Sequence, residues 1–317
     1  MKQAFRFANR LDNMLNILFS PPVIGLLALF LSVVWMLREE KDRTRPLLVI
    51  ALVINLVYGW LLTFLMGREN GLIPWKYDYI LLNLDDALGI RATKIAGVLQ
   101  QVRTPLLVVY QLMVPMMIAW FLVARRHCVS GAIVMAYVAE MIVGPILYAI
   151  VPGCGPVYAF HAQWLNPPAV QAALLRLSGM PNAFPSLHTA TAVVFVSFAG
   201  GRLWRGFAIA FLAGTILATL ATGEHYFIDL VAGLAFGCFA ASVGRRRVAR
   251  SIGFLSLVLA WSIAVRFGYN ILIGHPAFLQ ALAGLTAIVS IADVVVEWNR
   301  EESAARYAAE QSLQPLT

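Results

Sequence analysis

The sequence predicts an all-α fold, a polytopic bundle of about nine transmembrane helices. Three observations predict it. Of 317 residues, 60% are hydrophobic and only 13% charged, whereas a soluble domain is nearer half apolar and a quarter charged. Apolar runs of roughly 18 or more residues recur along the chain, long enough to cross a hydrocarbon core. They are continuous rather than alternating, which excludes a β-barrel. Lastly, basic residues gather in short loops between the runs, as the positive-inside rule predicts. That placement accounts for the net charge of +8 without a nucleic-acid partner.

An interfacial amphipathic segment, 1–20, is expected first, because basic residues interleave with Phe, Leu and Ile between Lys2 and Leu18. No short apolar stretch with a small-residue cleavage site marks a signal peptide there. The spans are read at 21–37, 46–66, 105–124, 130–151, 186–201, 205–222, 226–243, 251–272 and 277–296. The shortest, 186–201, is expected to sit deep in the bundle. Together they form one transmembrane domain, 21–297, with a core at about 46–243, followed by a polar tail, 298–317, expected as a frayed helix. The three cysteines, Cys128, Cys154 and Cys238, suggest no disulfide by position.

The loop charges orient the bundle. Arg38, Lys41, Arg43 and Arg45 follow the first span, Arg125 and Arg126 the third, Arg202 and Arg205 the fifth, and Arg245, Arg246, Arg247 and Arg250 the seventh. All fall on one side, which is expected to be cytoplasmic. Lys2, Arg6, Arg10, Lys76, Arg91, Lys94 and Arg103 vote the other way, but the long segment 67–104 counts for less under a rule of short loops. The segments 67–104 and 152–185 and the turn near Glu224 are thus expected to be extracytoplasmic, and the compact chain suggests a bacterial inner membrane.

Two strings at that side carry chemistry. The first is Phe184-Pro185-Ser186-Leu187-His188. Pro185 fits a first helical turn and pushes Phe184 out of helical geometry. A helix is therefore expected to begin there, with unpaired N–H groups and a partial positive charge that suit a phosphate. Ser186 adds a hydroxyl and His188 a proton carrier. Alone, the string reads better as a capped helix with a surface histidine. The second string is His225-Tyr226-Phe227-Ile228-Asp229. Its histidine and aspartate are four apart, on one helix face. The carboxylate can accept from one imidazole nitrogen and leave the other as base or nucleophile, and an aspartate at the start of an apolar run is costly without such a role. A structural His–Asp pair is the alternative. Both strings on one side, with His188 and His225 thirty-seven positions apart, make a divided site the more specific reading. The cluster lacks the ligand count of a zinc centre, and the chemistry needs no cofactor. Glu140, mid-span, is expected to hydrogen-bond between helices, Glu224 to face water, His161 to be solvated, and Gly233 and Gly237 to form a packing face.

FPSLH followed by GEHYFIDLVAG resembles the type-2 phosphatidic acid phosphatase superfamily, and more narrowly its branch containing inositol phosphorylceramide synthases. The resemblance covers roughly 74–243, with Asp78, Asp85, Gly89, Pro152, Gly155 and Pro156 in support. It implies a six-helix lipid-phosphatase-like core and a metal-independent ping-pong transfer. His225 would attack phosphorus to form a phosphohistidine, Asp229 would orient it, His188 would move protons, and Ser186 would hold phosphate oxygens. The partners implied are membrane lipids: a phospholipid donor and a lipid or glycan hydroxyl acceptor, or water in a lipid phosphate phosphatase. A transporter or structural protein with a degenerate site is the remaining alternative. The chain departs from the superfamily's basic pattern, with Thr219 where an arginine is usual and with Lys94 and Arg103-Thr104-Pro105 at a different spacing upstream. Arg103 and Lys94 are the candidate phosphate-binding cations, ahead of Arg91 and Arg176.

Overall fold

The structure, a computed structural model, describes residues 73–113, 115–117, 119–120, 130–168, 173–177 and 182–312. The expected segment 1–20, the spans 21–37 and 46–66, the last residues of the span 105–124, Arg125, Arg126 and Cys128 lie outside these residues. The described elements are β1 (Trp75–Lys76), α1 (Asp78–Leu88), α2 (Ala92–Leu99), α3 (Arg103–Gln111), α4 (Ser130–Ile150), α5 (Pro156–Phe160), β2 (Leu175–Arg176), α6 (Leu187–Ser197), α7 (Gly201–Thr222), α8 (Phe227–Gly244), α9 (Val248–Gly274) and α10 (Pro276–Ser312). The strands pair antiparallel, Trp75 with Arg176 and Lys76 with Leu175. The fold is an all-α membrane helical bundle. Among the described residues, α4, α7, α8, α9 and α10 are long and apolar enough to span a membrane, while α6 is shorter.

Helix α8 is the axis. It packs on α6, α9, α4, α10 and α1, and apolar residues cover it on every side, as a fully enclosed helix requires. Its contact with α6 depends on the expected glycine face. A Cβ at Gly237 would lie 2.5 Å from the Ala190 carbonyl oxygen, and one at Gly233 would lie 2.7 Å from that of Ser186. Gly237→Ala should therefore destabilise the bundle by about 2 kcal/mol through overpacking. A lowered unfolding midpoint in detergent checks this, and an unchanged midpoint would contradict it.

The ends of the bundle differ in chemistry. At one end lie α1, α5, the C-terminus of α7 and the N-termini of α6 and α8, which carry the two sequence strings. At the other, Arg205 of α7, Arg245 just after α8 and Arg250 of α9 meet the C-terminal half of α10. Arg205 pairs with Glu302, Arg245 with Glu301 at 2.8 Å, and Arg250 with Asp293 at 2.8 Å and with Glu297. The Trp298 indole donates to the Val196 carbonyl at 3.0 Å. The stretch expected as a frayed tail is thus helical to Ser312 and fastened to the bundle by those ion pairs. Glu140 links α4 to α6 by accepting from the Thr191 hydroxyl at 2.9 Å. Cys154 and Cys238 are free thiols.

Candidate active site

The first string forms the N-cap of α6. Pro185 precedes the helix instead of entering its first turn, Phe184-Pro185 is a cis peptide, and Ser186 is the N-cap. The Ser186 Oγ accepts from the Thr189 amide at 3.3 Å and the Thr189 hydroxyl at 3.1 Å. A hydroxyl has two acceptor positions and one donor, so the Ser186 O–H proton stays available to an oxygen. The Ser186 amide donates to the Asp229 carbonyl at 3.0 Å, joining the two strings through the backbone. The next two amides, of Leu187 and His188, lie in the first turn, where a helix supplies no acceptor. The His188 ring stacks on Tyr110 of α3, with centroids 4.3 Å apart, and meets the His225 ring edge-on at 5.9 Å.

His225 sits in the tight connection between α7 and α8 and is 3% exposed. Its Nδ1 lies 2.9 Å from the Ala183 carbonyl oxygen. A carbonyl only accepts, so Nδ1 carries the proton and Nε2 the lone pair. Asp229 was expected to hold this ring, but its Oδ2 is 3.5 Å from Nδ1 and accepts instead from the Tyr226 amide at 2.8 Å. Among the described residues its Oδ1 has no hydrogen-bond partner. The carbonyl therefore sets the tautomer, and the Asp229 carboxyl stands behind the ring. Burial lowers the His225 pKa to about 4, against the opposing pull of Glu224 and of the Ala183 hydrogen bond.

Two carboxylates of α1 brace the site from below. Asp85 accepts from the amides of Phe227 at 2.9 Å, Ile228 at 3.0 Å and Ala92 at 3.3 Å. Asp78 accepts from the amides of Cys154 at 3.1 Å and Gly155 at 2.9 Å, and from the Tyr226 hydroxyl at 2.9 Å. Desolvation raises both pKa values, that of Asp78 to about 7, with these hydrogen bonds opposing. The N-terminal amides of α8 are thus already satisfied by the protein's own carboxylates, and the open helix mouth is that of α6. Gly155 has φ 91°, and a Cβ there would lie 2.2 Å from the Glu224 carbonyl oxygen, so the backbone around Asp78 approaches the His225 connection directly.

The expected cations separate. Arg103, at the start of α3, is half-buried, its Nε has no partner among the described residues, and its charge acts on Glu224. It lies seven residues before Tyr110, hence on the same helix face as the residue that stacks on His188. Lys94 is exposed on α2 and makes no hydrogen bond or ion pair with the site among the described residues. Arg91 is paired with Asp86, and Arg176 is exposed on β2. Thr219, in the usual arginine position, donates its hydroxyl to the Ile216 carbonyl at 2.9 Å. Glu224, expected to face water, is half-buried and accepts from the Tyr158 hydroxyl at 2.8 Å. Burial raises its pKa, while Tyr158, His225 and Arg103 lower it. His161 is exposed.

Ser186, His188, His225 and Asp229 therefore meet at one place, with Arg103 on a neighbouring helix face and Lys94 apart. Sequence reasoning missed the Ala183 carbonyl, Tyr110 and the bracing role of Asp78 and Asp85. The last two carried a signal: two aspartates seven apart in an apolar stretch share a helix face. No curated protein and no solved structure matches the chain. The family profile described as the PAP2 superfamily matches residues 80–243, which run from α1 to the end of α8 and include all four clustered residues. The chain belongs to the PAP2 superfamily.

Proposed function

We propose that this protein is a lipid phosphotransferase that moves a phosphorylated head group from a phospholipid to a lipid or glycan hydroxyl through a phosphohistidine on His225. Superfamily membership supplies the broader frame of phosphatase or phosphotransferase action on lipid phosphates by an integral membrane protein. The observation that carries the reading is the 2.9 Å contact of His225 Nδ1 with the Ala183 carbonyl, which leaves the Nε2 lone pair free beside His188 and the α6 N-terminus.

In the first step Nε2 attacks phosphorus and the bond from phosphorus to the diacylglycerol oxygen breaks. The bound anionic phosphate favours the protonated form of His188, which gives its proton to that oxygen. The ring gains positive character, which the Asp229 carboxylate at 3.5 Å stabilises. Ser186 and the first amides of α6 bind the phosphate oxygens as charge builds, with Arg103 as the proposed counter-cation. In the second step the acceptor hydroxyl gives its proton to neutral His188 and attacks phosphorus, and the P–N bond breaks to restore His225. The arginines at the far end of the bundle support an extracytoplasmic site.

The test is incubation of purified protein with phosphate-labelled phospholipid, with and without a ceramide or diacylglycerol acceptor. Labelled product that requires the acceptor supports the transferase. Acceptor-independent release of inorganic phosphate from a phosphomonoester would replace it with the phosphatase.

A pH dependence follows from the burial of His225. A lowered histidine pKa keeps the ring neutral, and nucleophilic, down to about pH 4. The acid limb of single-turnover labelling, followed with an alkaline quench, should therefore lie near pH 4. A limb near pH 6.5, the ordinary imidazole value, would contradict the buried nucleophile.

A further inference from the structure

Two opposite charges lie near His225, Glu224 as its chain neighbour and Arg103 through its action on Glu224, and neither has an ion-pair partner among the described residues. Arg103 is half-buried with an unpartnered Nε. Glu224 immediately precedes His225, is half-buried, and makes no salt bridge there. It is held in place on both sides. Its amide donates to the Thr219 carbonyl at 3.1 Å, the preceding Gly223 carbonyl accepts from the Val157 amide at 2.9 Å, and its carboxylate accepts from the Tyr158 hydroxyl at 2.8 Å. Arg103 and Glu224 interact through space, as do Glu224 and His225.

A fixed carboxylate beside a phosphate is unfavourable unless something positive lies between them and solvent. Arg103 can supply one positive charge to the phosphate. Glu224 then still lacks a counter-charge. A dianionic phosphomonoester would face more negative charge than the local cation offsets. An anionic phosphodiester with a neutral polyol head group would leave Glu224 unbalanced. A zwitterionic phosphodiester balances both, with its phosphate toward Arg103 and the α6 N-terminus and its ammonium toward Glu224 and Tyr158.

Building on the phosphohistidine reading, we propose that Glu224, oriented by Tyr158, selects as donor a phospholipid whose head group carries an ammonium, of the ethanolamine or choline type. The same carboxylate disfavours phosphomonoesters and polyol phosphodiesters.

The test measures the rate of label transfer to the protein in proteoliposomes containing phosphate-labelled phosphatidylethanolamine, phosphatidylinositol or phosphatidic acid. The wild-type protein should take label from phosphatidylethanolamine about tenfold faster than from either anionic lipid, the scale of one partly exposed charge pair. Glu224→Gln should bring that ratio close to one, and Glu224→Lys should invert it. Equal rates in the wild type, faster labelling from an anionic donor, or an unchanged ratio in Glu224→Gln overturns the proposal and leaves the phosphohistidine intact. No label from any donor overturns the phosphohistidine reading and the proposal with it. The wild-type comparison needs no variant, so a misfolded Glu224→Gln protein does not remove the test.

Discussion

Replacing His225 with alanine should lower turnover by at least about a thousandfold and remove the labelled phosphoprotein, because the covalent bond is assigned to its Nε2. The fold should survive. The side chain makes one hydrogen bond, to the Ala183 carbonyl, whose loss costs on the order of 1 kcal/mol. His225→Asn is the sharper control, because its amide sits where Nδ1 does and can still donate to that carbonyl while offering no nucleophile. Unfolding midpoints of both variants should stay near the wild-type value while activity is lost. Wild-type turnover in either would remove His225 from the mechanism.

Asp85→Ala is expected to have the largest effect on stability. One buried carboxylate accepts from the amides of Phe227, Ile228 and Ala92. Without it these donors at the start of α8 and α2 lose their acceptor in a site closed to water. Each unsatisfied buried donor costs about 1–3 kcal/mol, so a total on the order of 3 kcal/mol is expected. Activity should fall as well, because α8 carries Asp229 and its first turn sets the position of His225. Asp85→Asn, which keeps one acceptor oxygen, should lie between the two. A midpoint for Asp85→Ala equal to that of the wild type would show that the brace is not needed.

The fold class was legible because hydrocarbon imposes one local solution: long apolar runs can satisfy their backbone only as helices. The Ser186–His188 and His225–Asp229 strings were legible because helix starts and four-residue spacing are local properties. What was hidden depends on distant contacts. The Ala183 carbonyl that sets the His225 tautomer is forty-two residues away, and a backbone oxygen leaves no mark in a sequence. Tyr110 looks like any residue of an apolar helix until it stacks on His188. Pro185 was placed one helical step too far in, because a proline that precedes an N-cap and one that opens a helix read alike. Glu224 was read as solvated because its neighbours in sequence cannot show Tyr158 arriving from α5. The arginine missing at Thr219 was legible, but its stand-in depends on which face of α3 turns inward.

The most direct test of the account is trapping the intermediate on the wild-type protein. The protein is mixed with phosphate-labelled phospholipid, quenched in alkali, digested, and its phosphopeptides are located by mass spectrometry. The account predicts an acid-labile phosphoramidate on His225, still carrying the head group, that disappears, with matching formation of labelled product, when a hydroxyl acceptor is added. Labelled product formed at full rate while no histidine carries label would contradict it, and would mean direct transfer from donor to acceptor.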